Sequence, residues 1–467
     1  MILSDEVRAT HRDLSQVDLE FREIAAQDPR FLDRAQFEPL NRHELLNFRQ
    51  QPWPTFLGRE KLAEFQRVSL GMYHLLRALP ERVFGKDYAR MSTFYGLDSA
   101  MTAELLFTPP TVLPTVVSRG DMIDTADGFK CIEFNFTPNL GGWESTILVD
   151  LHLSVPATSD FISSRGLPVV YTNTVQMFLD LAIADVLAKG LCTQGEINIA
   201  FIYDAVLPDA QVPVDALDPC AQSGEHYMNQ ELARVLERRG GGLRGQVMAC
   251  ALDELTSRRG LVYRNGAPIH AIAEFTLQPS AMVFRAFKAG GLSLFNGPVS
   301  VVLGDKRGLA LLSEGVDSGL FSAEEQELIR RHVPWTRLVT SGPLEFEGES
   351  MAIRDLLRTR RERFVIKEAR SFGGKGVHVG KATPETVWLE AVDSALQDGR
   401  WVVQEYLESF PYLYQSGEQG CSLHDVIWGP FIFGGQYAGA ILRMQPKAAG
   451  GAVNLSLAAT EGVVLEV

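Results

Sequence analysis

A chain that reads TVVSRGDMIDTADGFKCIEFN over residues 115–135 is committed to at least one strand–turn–strand unit. Two strand-forming runs flank Asp127-Gly128, a dipeptide that favours a tight hairpin turn. Side chains alternate between faces along a strand, so Glu133 and Asn135 project from the same side. If the hairpin closes, Asp121 or Asp124 lies on the neighbouring strand. Carboxylates with an amide oxygen make an all-oxygen set suited to Mg2+, which keeps waters and bridges nucleotide phosphates. Taken alone the E-x-N pattern is short, and a surface hairpin with solvated acids would read the same way.

Other stretches carry cations where phosphates could sit. Phe364-Val-Ile-Lys367 reads as a strand and is followed by Ser371-Phe-Gly373-Gly374-Lys375-Gly376. A strand-borne ammonium neutralises phosphate, and glycines let backbone N–H groups approach closely. The spacing is neither GxxxxGK[ST] nor a GxGxxG that opens a helix. It also suits a plain hairpin turn with Lys375 in solvent. Gln404-Glu405-Tyr406-Leu407 leaves a buried strand, Trp401–Gln404, and can offer backbone groups to an adenine edge. Lys306 begins a helix and could reach a phosphate at that end. Arg443 ends the run Tyr-Ala-Gly-Ala-Ile-Leu-Arg and could neutralise a transferring phosphoryl group. Both could equally be surface cations.

The 467 residues suggest two to four lobes at roughly 100–200 residues per domain. With 46% hydrophobic and 22% charged residues the chain has material for several cores. Its net charge of −14 disfavours non-specific nucleic-acid or anionic-membrane binding, without excluding a local basic pocket. Five scattered cysteines form no CxxC or Cys/His cluster, so neither zinc nor a disulfide framework is expected. The polar amino terminus and the absence of a long apolar run fit a cytoplasmic protein with no signal peptide or membrane span.

Residues 1–100 read as helical, with Leu14, Val17, Phe21 and Ile24, then Leu62, Phe65, Val68, Met72, Leu75 and Leu79, at helical spacing. Pro52 and Pro54 mark a connector. Residues 153–171 read as a linker because of Pro156, Gly166 and Pro168. Over 172–300, an apolar helix (175–186), a buried strand (197–204), a Pro-rich loop (Pro208, Pro213, Pro219), and a helix from Glu225 to Gly240-Gly241-Gly242 suggest a parallel sheet. Val299–Leu303 reads as a strand, Lys306–Ser313 as a helix, and Val426–Phe433 and Tyr437–Arg443 as strands joined at Gly434-Gly435. No Ser/His/Asp or Cys/His motif is present. His378 and His424, the histidines nearest these motifs, read as structural. Ile197–Asp204 lacks a following glycine fingerprint, which argues against a dehydrogenase.

Together, Glu133/Asn135, Lys306, Lys367, the Gly-rich loop, Gln404–Leu407 and Arg443 resemble the ATP-grasp superfamily of carboxylate–amine ligases. The acidic strand precedes both lysines, which resembles the circularly permuted branch typified by the synthetase half of glutathionylspermidine synthetase. Arg119-Gly-Asp121 before Glu133-Phe-Asn135, Asn296-Gly-Pro298 before Gly304-Asp-Lys306, and QYAGAILR carry that resemblance over roughly residues 110–467. The segment FTPNLGGWES after Asn135 departs from the branch's small-residue run, close to the expected acceptor site.

The resemblance implies a circularly permuted ATP-grasp fold of the α+β and α/β classes. It would comprise a helical region (1–100), metal-binding strands of the large subdomain (101–155), and a preceding α/β lobe (165–300). An ATP-binding subdomain with a lid (301–404) and the remainder of the large subdomain (405–467) would complete it. It implies Mg2+ on Asp121, Glu133 and Asn135, and ATP on Lys306, Lys367, Ser371, Gly373, Gly374, Lys375, Gly376, Gln404, Glu405, Tyr406 and Leu407. Arg119 and Arg443 would stabilise the transition state. The implied product is an amide, made through an acyl phosphate from small carboxylate and amine substrates such as amino acids. Family habit suggests a homodimer. A kinase, a peptide-modifying ligase and a non-catalytic ATP-binding scaffold are the alternatives.

Overall fold

The computed structural model describes every residue except 1–2, 38–47, 108–114, 193, 204–213, 277–279, 341, 372–373, 418–419 and 454–458. Asp204, Pro208, Pro213, Gly373 and the AVLPDAQ stretch therefore lie outside the described residues. The fold is mixed α/β and is built on three main sheets.

The largest sheet has seven strands. Its path runs Thr55–Leu57, Thr460–Glu466, Gln436–Pro446, Cys421–Phe433, Val117–Thr125, Gly128–Asn135, with Tyr412–Gln415 also paired to Cys421–Phe433. Only the Thr55–Leu57 pairing is parallel. The Asp127-Gly128 hairpin forms as its sequence indicates, with Asp124 opposite Phe129 and Asp121 opposite Glu133. A second sheet of four parallel strands runs in the order Ser293–Phe295, Ala271–Phe275, Glu196–Tyr203, Arg244–Ala251. A third, antiparallel, orders Thr336–Leu338, Trp401–Glu405, Phe364–Glu368, Val377–Val379 and packs on Ile353–Thr359 and Glu385–Asp398.

Two local readings need correction. Residues 153–171 are no linker, because helices Ser145–Ser154 and Pro156–Ser164 occupy most of the stretch. Pro156 stands at a helix's first turn, where its missing N–H has no intrahelical acceptor to lose. Val299–Leu303 is not a strand either. A 3-10 turn, Gly297–Val299, leads into helix Ser300–Leu303. A five-residue apolar run cannot distinguish the two by periodicity, and Pro298 sits where a helix would start.

The amino-terminal helices back the large sheet. Helix Arg59–Phe84 crosses it, with Phe65 packed 5.7 Å from Trp428 and 4.9 Å from Phe129. The first apolar stretch is two helices, Asp5–Leu14 and Gln16–Ala25, broken at Ser15, whose hydroxyl caps the second. A fully buried network locks them to the sheet. His11 Nδ1 meets Asp18 Oδ2 at 2.6 Å, and the Leu413 N–H donates to His11 Nε2 at 2.9 Å. Asp18 also accepts from Arg22 at 3.0 Å and from the Phe56 N–H at 2.8 Å. Arg22 lies over the Tyr414 ring at 4.4 Å. Among the described residues no helix is long and apolar enough to cross a membrane.

Removing one partner of such a pair leaves the other charge buried without compensation. Asp18→Ala should therefore cost about 3–5 kcal/mol in denaturant unfolding by stranding Arg22. A loss under about 1 kcal/mol would mean the network is not what fastens these helices.

Candidate active site

The hairpin supplies the floor. Directly opposed residues of an antiparallel pair share a face, so Arg119 with Asn135 and Asp121 with Glu133 form one polar surface. Asn296 holds the start of this hairpin, accepting from the Val117 N–H at 2.6 Å and donating to the Val117 carbonyl at 2.8 Å. The Asn296-Gly-Pro298 motif thus acts as a backbone clamp.

Arg443 reaches the hairpin through the sheet. Its guanidinium lies 2.6 Å from Asp121 Oδ1, and Arg119 Nε lies 3.3 Å from the same atom. Burial alone would raise the Asp121 carboxyl, but Arg443 and then Arg119 overcome it and hold it below its ordinary value. Burial and then Arg443 lower Arg119 in turn. The Arg443 contact is one of charge without hydrogen-bond alignment, and its buried Nε finds no acceptor.

Two lysines enter from separate segments. Lys306 Nζ lies 3.4 Å from Glu133 Oε1 and donates to the Ser371 carbonyl at 2.5 Å. The preceding Asp305 is a buried anchor, bound by Arg307 at 2.7 Å and by Arg370 at 3.1 Å. Lys367 donates to the Ile132 carbonyl and to Gln404 Oε1, both at 2.8 Å. Burial pushes Lys367 down to about 8, with Glu133 partly opposing and Lys306 adding to the fall. Four cations and two carboxylates thus converge, leaving a local excess of positive charge in a strongly anionic chain.

The remaining sequence candidates divide. Ser371, Gly374, Lys375 and Gly376 lie between Phe364–Glu368 and Val377–Val379, and the Glu368 N–H donates to the Gly376 carbonyl at 2.9 Å. Gly374 and Gly376 have φ of 76° and 63°, Lys375 is exposed, and Gly373 lies outside the described residues. Gln404 has its side chain committed within the protein. It is buried, holds Lys367, and donates to Thr336 Oγ1 at 3.1 Å. The N–H groups of Glu405 and Tyr406 are taken by the Trp335 and Arg363 carbonyls, whereas the Leu407 N–H has no backbone acceptor among the described residues. The Glu405 side chain is held by Arg363 at 3.1 Å. His424 is buried against the Ser422 carbonyl, and His378 packs on Trp401.

Among the described residues no three His, Cys, Asp or Glu side chains gather as metal ligands. Glu133 and Asn135 are partly exposed on one face, and two oxygen donors completed by water suit Mg2+. Asp121 is already balanced by two guanidiniums, so it is the least available of the three.

The sequence reading missed a carboxyl pair beside the arginines. Arg119 Nη1 donates to the Leu140 carbonyl, drawing the loop after Asn135 across the sheet. Gly142, at φ 84°, crosses where a Cβ would stand 2.7 Å from Phe431, and Trp143 stacks on Phe433. The loop delivers Glu144 to Glu461, and the two carboxyls interact directly. Glu461 is fully buried opposite Arg443, and its Oε2 accepts from Gln50 at 3.0 Å. Ionised carboxylates repel each other and only accept hydrogen bonds, so two of them side by side favour a shared proton. Burial raises both groups, Glu461 to about 8. The one available signal was the departure of FTPNLGGWES from the small-residue run.

No family model and no curated protein matches the sequence. Among solved structures, the apo form of a glutathione synthetase-like effector from Globodera pallida aligns with a TM-score of 0.59 at 13% identity, covering 95% of this chain and 99% of that one. A candidate γ-glutamylcysteine synthetase from Methylobacillus flagellatus aligns at 0.41 and 10% identity, over 86% of each chain, which is too distant to carry argument. The first likeness is one of fold: this chain has a mixed α/β fold like that of a glutathione synthetase-like protein.

The carboxyl pair has a thermodynamic signature. Glu461 binds its proton up to about 8 when folded, against 4.5 as the ordinary value. Between those values the folded state holds more protons than the unfolded, so stability present at lower pH is lost as pH rises through the window. Glu461→Gln should flatten the fall of Tm across it. Parallel slopes in variant and wild type would show that no proton is shared.

Proposed function

We propose that the chain is an ATP-dependent carboxylate–amine ligase on a circularly permuted ATP-grasp fold, forming an amide from small amino-acid-like substrates. The observation that carries this reading is the convergence of Arg119, Asp121, Glu133, Lys306, Lys367 and Arg443 from four distant parts of the chain. A local excess of cations in a chain of net charge −14 suits a polyanionic ligand. The likeness in fold to a glutathione synthetase-like protein supports the same class.

In this reading residues 101–155 and 405–467 form the large subdomain, and 301–404 the ATP-binding one. Lys306 and Lys367 would hold the α- and β-phosphates, exchanging carbonyl partners for charged oxygens, which make stronger hydrogen bonds. Glu133 and Asn135, with Asp121 behind them, would hold Mg2+. Glu405 and Leu407 would meet adenine through the backbone, and residues 371–376 would close to exclude water. ATP, when bound, supplies the phosphoryl group that activates a substrate carboxylate as an acyl phosphate. Arg119 and Arg443 face the charge that develops during that transfer. An amine then displaces phosphate.

The direct test incubates the protein with Mg–ATP and pools of amino acids and polyamines, following phosphate and product mass. ADP, phosphate and a new amide mass are expected. AMP with pyrophosphate would exclude the acyl-phosphate route, and ATP binding without turnover would favour a scaffold.

Glu133→Ala should reduce turnover by about a hundredfold or more with folding intact, and wild-type Mg2+ dependence in that variant would refute the metal assignment. Lys367→Ala should weaken ATP binding by about tenfold, since the lost contact is charge-assisted, and unchanged affinity would move the phosphate site elsewhere.

A further inference from the structure

We propose that Glu144 and Glu461 form the subsite that receives the attacking amine and accepts its proton, an inference that rests on the ligase reading above. An amine substrate arrives as an ammonium ion, and its nitrogen has no lone pair until a proton leaves. The cations around Asp121 cannot take that proton. The adjoining carboxyl pair can.

The geometry suits the task. Glu461 is fully buried, and its Oε1 accepts from no donor among the described residues. Glu144 is only partly buried, so the pair has one sealed and one open member. The charged groups facing the pair are Arg119 from the hairpin and Arg443 from the adjacent strand, with the neutral Gln50 amide on the other side. Cationic and acidic subsites therefore abut, as a reaction joining an acyl phosphate to an ammonium requires. Burial raises both carboxyls, which strengthens the pair as a proton acceptor.

The steps balance. With one proton shared, the pair carries a single negative charge. It takes one proton from the ammonium and becomes neutral. The freed nitrogen lone pair attacks the acyl carbon, the C–O bond to phosphate breaks, and phosphate leaves with that electron pair. The second nitrogen proton departs with the phosphate, and the pair returns its own proton to water after product release.

The test separates activation from transfer. Hydroxylamine, uncharged at neutral pH, traps acyl phosphate as a hydroxamate without needing a proton acceptor. Pooled amino acids and polyamines report amide formation from ammonium-type nucleophiles. In Glu144→Gln, which removes the open carboxylate, the ratio of amide to hydroxamate should fall by about tenfold or more, and partly recover toward about pH 9, where more amine is neutral. An unchanged ratio, or no recovery with pH, would overturn the proposal. Glu144 is partly exposed, and a wild-type yield of hydroxamate from Glu144→Gln reports that the variant folds. No hydroxamate from the wild type would refute the ligase reading and this inference with it, whereas wild-type hydroxamate with an unchanged variant ratio refutes the subsite alone.

Discussion

The pairing of Val117–Thr125 with Cys421–Phe433 is the contact on which the remaining structure depends. Ser118 donates to the Ile432 carbonyl across 314 residues of chain. Without that join the hairpin would bear two acids and an arginine with nothing beside them. With it, Arg443 stands against Asp121, and Glu461 stands beyond Arg443 on the next strand. Such long-range pairing carries loop-closure entropy that only the finished core offsets, so the site exists only when the whole sheet does.

Electrostatics within the site follow from that join. Two guanidiniums share one carboxylate, and two ammoniums rest on carbonyl oxygens of neighbouring segments. Each cation has a partner, but that partner is neutral or shared and the Arg443 Nε has no acceptor, leaving room for a stronger one. An incoming phosphate would find donors already aimed and already desolvated, which is the preorganisation that makes such groups effective. Gln404 and Asp305 serve this arrangement indirectly, one by fixing Lys367 and the other by anchoring the segment that carries Lys306.

The amino-terminal hundred residues act through packing. Helix Arg59–Phe84 covers a sheet face with Phe65 among Phe129 and Trp428, and the buried His11–Asp18–Arg22 network fastens the first helices to Thr55–Leu57 and Tyr412–Gln415. Their apolar spacing was legible because helical periodicity is local. The break at Ser15 was not, since both helices keep their apolar residues in phase across it.

What the sequence determined by itself is local. Asp127-Gly128 specifies a hairpin, period two puts Glu133 and Asn135 on one face, and the order of motifs places the acidic strand before the lysines. Each depends on residues within a few positions of one another. The partner of each charge was decided only by tertiary structure. Arg443 could have been a surface cation, Glu144 and Glu461 two solvated acids. Their roles come from burial and from neighbours hundreds of residues away, because the state of an ionisable group is set by the dielectric and charges around it, and no short window of sequence contains those.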